Sequence, residues 1–215
     1  MKDRPRLDRL AHDLRGPLMP LQTAAYLLRR GQCDEERQQE LLVLIERQTR
    51  RLAGMIDELA DWSRAVEGTL LVSREPCVPA LLLDDAIGGA GFDPESRPEI
   101  VDDSGDAQVE GDPGRLVQLL RTLLQYAGSL RVARVRMHVE RDELRIDVLG
   151  ADASFDPALL PDLLAQPMPE PFDQGLGLRL LVAREIAEAH AGRLEADIAE
   201  GGGLRLTCRL PLAEA

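Results

Sequence analysis

Apolar residues recur at helical spacing through the first third of the chain. Leu7, Leu14, Leu21 and Leu28 stand seven apart, with Leu10, Ala11, Leu18 and Ala25 on the same side. That spacing marks one face of a helix and predicts one over about 5–30. Gly31 is its stop signal and Asp34 the N-cap of the next helix, although Arg37 stands where a capping box would place an acid. From about 35 to 67, Leu42, Ile45, Thr49, Leu52, Ile56, Leu59, Ser63 and Val66 alternate steps of three and four. This is a heptad seam. Two such helices on a short loop form a hairpin that cannot cover its own apolar stripe, whereas two hairpins in a four-helix bundle can. A homodimer is expected; the alternative is a monomer whose remaining residues cover the stripe.

The pattern changes after Gly68. Residues 78–89 read as a helix, 97–110 as short strands with Asp-rich turns, and 112–127 as an amphipathic helix. Val132–Val139 and Glu143–Leu149 alternate as a hairpin turning near Arg141-Asp142. A helix over about 176–190 follows Gly175, and two last strands, 193–198 and 204–210, flank Gly201, Gly202 and Gly203. The order is α+β, with helices on one face of a mixed sheet. Two domains are expected, 1–69 and 70–215, the second an α/β sandwich.

Composition narrows the function classes. The chain has 215 residues and a formal net charge of -12, which argues against nucleic acid and against anionic membrane surfaces. Aromatic residues are 3%, so the core must be aliphatic. No apolar run approaches the roughly 20 residues of a membrane span, and Met1–Arg9 lacks the apolar core of a signal peptide. Cys33, Cys77 and Cys208 are too scattered for a disulfide framework or metal site, which fits a reducing cytoplasm. With Met1 as the start, no sensor segment is attached. Trp62 is read as core, His138 and His190 as ordinary strand and helix residues, and Arg50-Arg51 as a solvated helix face.

The strongest local signal is Leu10-Ala11-His12-Asp13-Leu14-Arg15-Gly16-Pro17-Leu18. A lone helical histidine is usually structural. This one is followed by a carboxylate, a basic residue one turn on, and a proline that costs a helix about 3 kcal/mol. An imidazole nucleophile needs a neutral attacking nitrogen and an orienting group beside it. Asp13 can accept the other ring proton, and Arg15 can help neutralise a phosphoryl group.

The segment resembles the H-box of histidine kinases, and the heptad helix resembles their dimerisation and phosphotransfer domain. The likeness continues through Glu75-Pro-Cys-Val78, Gly111-Asp112-Pro-Gly-Arg-Leu116, Gly175-Leu-Gly-Leu178 and Glu188-Ala-His190-Ala-Gly192-Arg193, which resemble the family's ATP-binding domain. The resemblance implies that His12 carries a phosphoryl group, with Asp13 and Arg15 as its helpers. It also implies that Gly175 and Gly177 belong to the nucleotide site.

Departures from the family pattern fall in the second domain. Tyr126 and Thr122 stand where the family has magnesium-binding asparagines, and tyrosine is a poor magnesium ligand. Gly150 replaces the adenine-reading aspartate, and Asp152 could serve only after a two-residue shift. Only Ala165–Gln174 remains for the ATP lid. Gly175 and Gly177 at a helix N-terminus could still hold an anion, or could form a packing turn. Gly16 replaces the side chain that orients a hydrolytic water, so weak phosphatase activity is expected. Together these imply a dimeric phosphorelay phosphotransferase on a degenerate kinase fold. It would exchange phosphate between His12 and response-regulator receiver domains without ATP, the receiver supplying magnesium and this chain binding no metal. The rivals are an active kinase with an atypical nucleotide site and a pseudokinase that regulates a partner without passing phosphate.

Overall fold

The computed structural model describes residues 7–31, 33–130, 132–150, 155–200 and 202–213. Helices α1 (Leu7–Arg30) and α2 (Glu35–Glu67) form the hairpin. Gly31 takes a φ of +64°, the left-handed conformation that ends helices, and its N–H donates to the Leu28 carbonyl at 3.1 Å. Asp34 caps α2, its Oδ1 accepting the Arg37 N–H at 2.8 Å.

Each hairpin helix carries two stripes. Leu10, Pro17 and Ala24 on α1, and Leu41, Gln48, Met55 and Trp62 on α2, are buried and spaced seven apart. The seam read from the sequence lies beside them: Leu42, Ile56, Leu59 and Val66 are exposed, and Ile45 and Leu52 half-buried. Met55 is fully buried while Ile56 is 55% exposed. The expected seam is therefore a second apolar face that the single chain leaves open.

The chain divides into two compact units, Met1–Asp61 with Met168–Leu178, and Trp62–Pro167 with Arg179–Ala215. The helical unit thus includes a late stretch that a boundary at 69/70 assigns to the second domain.

The second unit is a sheet covered by helices. Its elements are β1 (Glu75–Cys77), α3 (Pro79–Ala90), β2 (Glu99–Asp103), β3 (Val109–Gly111), α4 (Pro113–Ser129), β4 (Val132–Glu140), β5 (Glu143–Gly150), α5 (Leu160–Leu163), α6 (Arg179–Ala189), β6 (Arg193–Ile198) and β7 (Leu204–Pro211). The main sheet runs β2-β4-β5-β7-β6, with β2 parallel to β4 and the other neighbours antiparallel. Strands β1 and β3 form a separate antiparallel pair. Arg141, at a φ of +59°, makes the β4–β5 turn. Register aligns Met137, Ile146, Cys208 and Leu194 in one row, all buried. Helix α4 packs against β4 and β5, and brings Leu116, Leu119, Leu120, Leu123 and Leu124 to the core. Each such side chain contributes about 1.5–3 kcal/mol on burial.

Two motifs noted in the sequence are knit together here. The Asp112 N–H donates to His190 Nε2 at 2.9 Å, and His190 Nδ1 donates to the Ile186 carbonyl at 2.7 Å. The Asp112 carboxylate caps α4 through the Arg115 N–H and accepts the N–H groups of Val72 and Ser73. Burial would raise its pKa, but those three N–H bonds and the Arg115 charge hold it below the usual carboxylate value. Helix α6 begins at Arg179, later than the sequence reading from 176.

Candidate functional site

His12 lies on α1 with its ring in solvent, the side chain 85% exposed. Its Nδ1 is 3.2 Å from Asp13 Oδ1, so an Nδ1–H tautomer donates to the carboxylate and leaves Nε2 with its lone pair. Helix α1 continues through Pro17 and Pro20, which cannot donate to the carbonyls of Asp13 and Gly16 four residues back.

A cavity of about 400 Å³ opens at this turn. His12, Asp13 and Gly16 form one part of its lining, Arg51 another, and Pro169, Pro171, Gln174 and Gly175 the rest. Of the residues singled out in the sequence, the structure brings His12, Asp13 and Gly175 to one cavity. Arg15 is exposed and does not line it, and neither does Gly177.

The segment Met168–Leu178 is a strap held on α2. Arg51 Nε donates to the Gln174 carbonyl at 2.8 Å. Farther along α2, the buried Glu58 carboxylate accepts the Leu178 N–H at 3.1 Å and the Leu176 N–H at 3.2 and 3.3 Å. The strap closes on itself through the Met168 N–H to the Gly177 carbonyl at 3.0 Å. Gly177 has a φ of +76°, and an added Cβ would run into the Met168 backbone. A Cβ on Gly175 would collide with the Glu58 carboxylate. Both glycines are thus needed for packing. The amides after them already hold an anion, the chain's own Glu58.

Residues 7–68 match the His Kinase A (phospho-acceptor) domain, and residues 111–214 match the histidine kinase-, DNA gyrase B- and HSP90-like ATPase domain. The chain belongs to the histidine-kinase family. It is 30% identical to the sensor protein KdpD of Mycobacterium tuberculosis, over 97% of this chain and 26% of that protein. The histidine kinase AdeS of Acinetobacter baumannii superposes with a TM-score of 0.67 at 18% identity, over 94% of this chain and 98% of that one. The histidine kinase ThkA, solved in complex with the response regulator protein TrrA, gives 0.73 at 17% identity, over 96% and 61%. The chain spans about a quarter of the length of KdpD.

In a histidine kinase the second unit would hold ATP and magnesium, and three positions of this chain bear on that fit. The Thr122 hydroxyl donates to the Gln118 carbonyl within its own helix at 2.9 Å. Tyr126 is buried, 4% exposed, and burial pushes its phenol pKa up. A Cβ on Gly150 would lie 3.2 Å from the Leu130 Cβ, so the backbone leaves little room for a carboxylate side chain. Asp152 lies outside the described residues. Among the described residues, no group of three or more His, Cys, Asp or Glu could hold a metal, and no helix is long and apolar enough to cross a membrane.

Arg51 and Glu58 are the residues that sequence reasoning missed. Arg51 looks like any solvated arginine on α2, and Glu58 lies 118 and 120 positions from its partners. Their one shared signal is a spacing of seven.

Proposed function

We propose that the chain is the phosphotransfer and catalytic core of a two-component histidine kinase, with His12 taking a phosphoryl group and passing it to a receiver domain. The Nδ1–Asp13 bond carries this reading, because it presents Nε2 as the nucleophile. The Nε2 lone pair forms the N–P bond, the donor's bond to phosphorus breaks with its electron pair, and the ring keeps its Nδ1 proton against Asp13. Gly16 offers no side chain to orient a water, which supports weak hydrolysis of a receiver's phosphate. The open apolar face of the hairpin supports a homodimer.

ATP is the donor that family membership and the likeness to sensor kinases support. The poor fit of Thr122, Tyr126 and Gly150 favours a second reading, in which a receiver's phospho-aspartate charges His12 and the receiver brings the magnesium. Labelled phosphate from ATP or a charged receiver should reach the wild-type protein and not His12→Ala. Label retained by His12→Ala refutes the proposal. Calorimetry with a magnesium-ATP analogue separates the donors: binding at micromolar concentration selects ATP, and no binding at millimolar selects the receiver.

A further inference from the structure

We propose that Arg51 of α2 is a phosphoryl-binding residue for His12, an inference that rests on the reading of His12 just given. Among the described residues lining the His12 cavity, Arg51 alone carries a fixed positive charge. Its Nε is bonded to the Gln174 carbonyl at 2.8 Å. No other hydrogen bond or ion pair of Arg51 occurs among the described residues, so its two terminal nitrogens remain for an incoming group.

A guanidinium fixed at Nε presents a planar pair of donors, the geometry that matches two oxygens of a phosphoryl group. Such a group needs this charge, because catalysis of phosphoryl transfer is mostly positioning and electrostatic stabilisation. Asp13 adds a negative charge to the same cavity, which deepens the need for a cation. Arg15 does not line the cavity, so the charge-balancing role expected of it passes to Arg51. The Gln174 bond also makes Arg51 an anchor of the strap, and the test must separate the two roles.

The probe is phosphoramidate, which charges a histidine without nucleotide or receiver. Its P–N bond breaks, a P–N bond to His12 Nε2 forms, and ammonia leaves with the electron pair and gains a proton. Phosphorus NMR on the full chain then reads the charging rate and the pH midpoint of the phosphoryl group's last ionisation. Arg51→Gln should slow charging about tenfold and raise the midpoint by about half a unit or more, as expected for losing a charge-assisted donor pair. Arg51→Lys should recover part of both. Glu58→Gln weakens the strap without touching the guanidinium, and should leave the midpoint where it is. The proposal is overturned if Arg51→Gln matches wild type, if Arg51→Lys behaves like Arg51→Gln, or if Glu58→Gln reproduces the shift. A wild-type chain that takes no phosphoryl on His12 defeats the function and this inference together; normal wild-type charging with an inert Arg51→Gln defeats this inference alone.

Discussion

Replacing Glu58 by glutamine should release the strap. In the native chain its carboxylate accepts the N–H groups of Leu176 and Leu178, both buried, at 3.1–3.3 Å. Hydrogen bonds to a charged group contribute about 1.5–3 kcal/mol each, and neutral ones about 0.5–1.5 kcal/mol. Both amides reach Oε2, so a glutamine carbonyl oxygen placed there still accepts both, but the charge is lost and the NH2 replaces the oxygen that faces Leu176 at 3.3 Å. Two bonds to a charged group become two neutral ones, so the loss should be about 2 kcal/mol of anchoring. That is roughly a thirtyfold change in the local opening equilibrium (1.4 kcal/mol is tenfold). Amide hydrogen exchange reads it directly: protection at Leu176 and Leu178 should fall by about that factor, while core amides of α4 stay unchanged. Glu58→Ala should go further, and Gly175→Ala should mimic it by driving a Cβ into the carboxylate. Unchanged exchange at both amides in Glu58→Gln would refute the reasoning.

The two stripes of α2 should separate under mutation. Met55→Ala should cost about 2–5 kcal/mol in denaturant unfolding, the range for emptying a core site. Ile56→Asp should spare the fold and shift a dimer toward monomer in sedimentation. His190 carries a pH dependence. Burial, followed by the Arg74 charge, lowers its pKa from the ordinary 6.5 against the opposing pull of the Ile186 carbonyl and Asp112. The unfolded chain therefore binds a proton that the folded one refuses, so this contribution is complete above 6.5 and is lost as pH falls below it. Unfolding midpoints of wild type and His190→Phe across that range should show the acid slope shrink in the variant. Gly150→Asp should cost about 1–3 kcal/mol in denaturant unfolding, from crowding against Leu130.

Much of the fold was legible because periodicity survives in single residues. The hairpin helices, α4, the β4–β5 hairpin and the mixed sheet follow from apolar spacing and turn chemistry, and His12 with Asp13 stood out from the H-box order. The buried stripe of α2 did not, because polar Gln48 interrupts the row of Leu41, Met55 and Trp62 and only its burial reveals it. Strand β1 escaped notice because it is three residues long with Pro76 at its centre. The start of α6 was read too early: Leu176 and Leu178 look periodic, but the positive φ of Gly177 and the bonds to Glu58 place them in the strap. Arg51 was read as solvated because nothing local to its helix marks a partner so distant in sequence.

The two anchors of the strap stand seven residues apart on α2, about 10 Å along the axis and about 20° apart around it. They therefore act as two teeth of one cam. A turn of α2 about its own axis cannot lift one tooth and leave the other seated. Gln174 at the cavity rim and the Leu176–Leu178 amides therefore share one angular coordinate, and a rotation of α2 would load both attachments of the strap together.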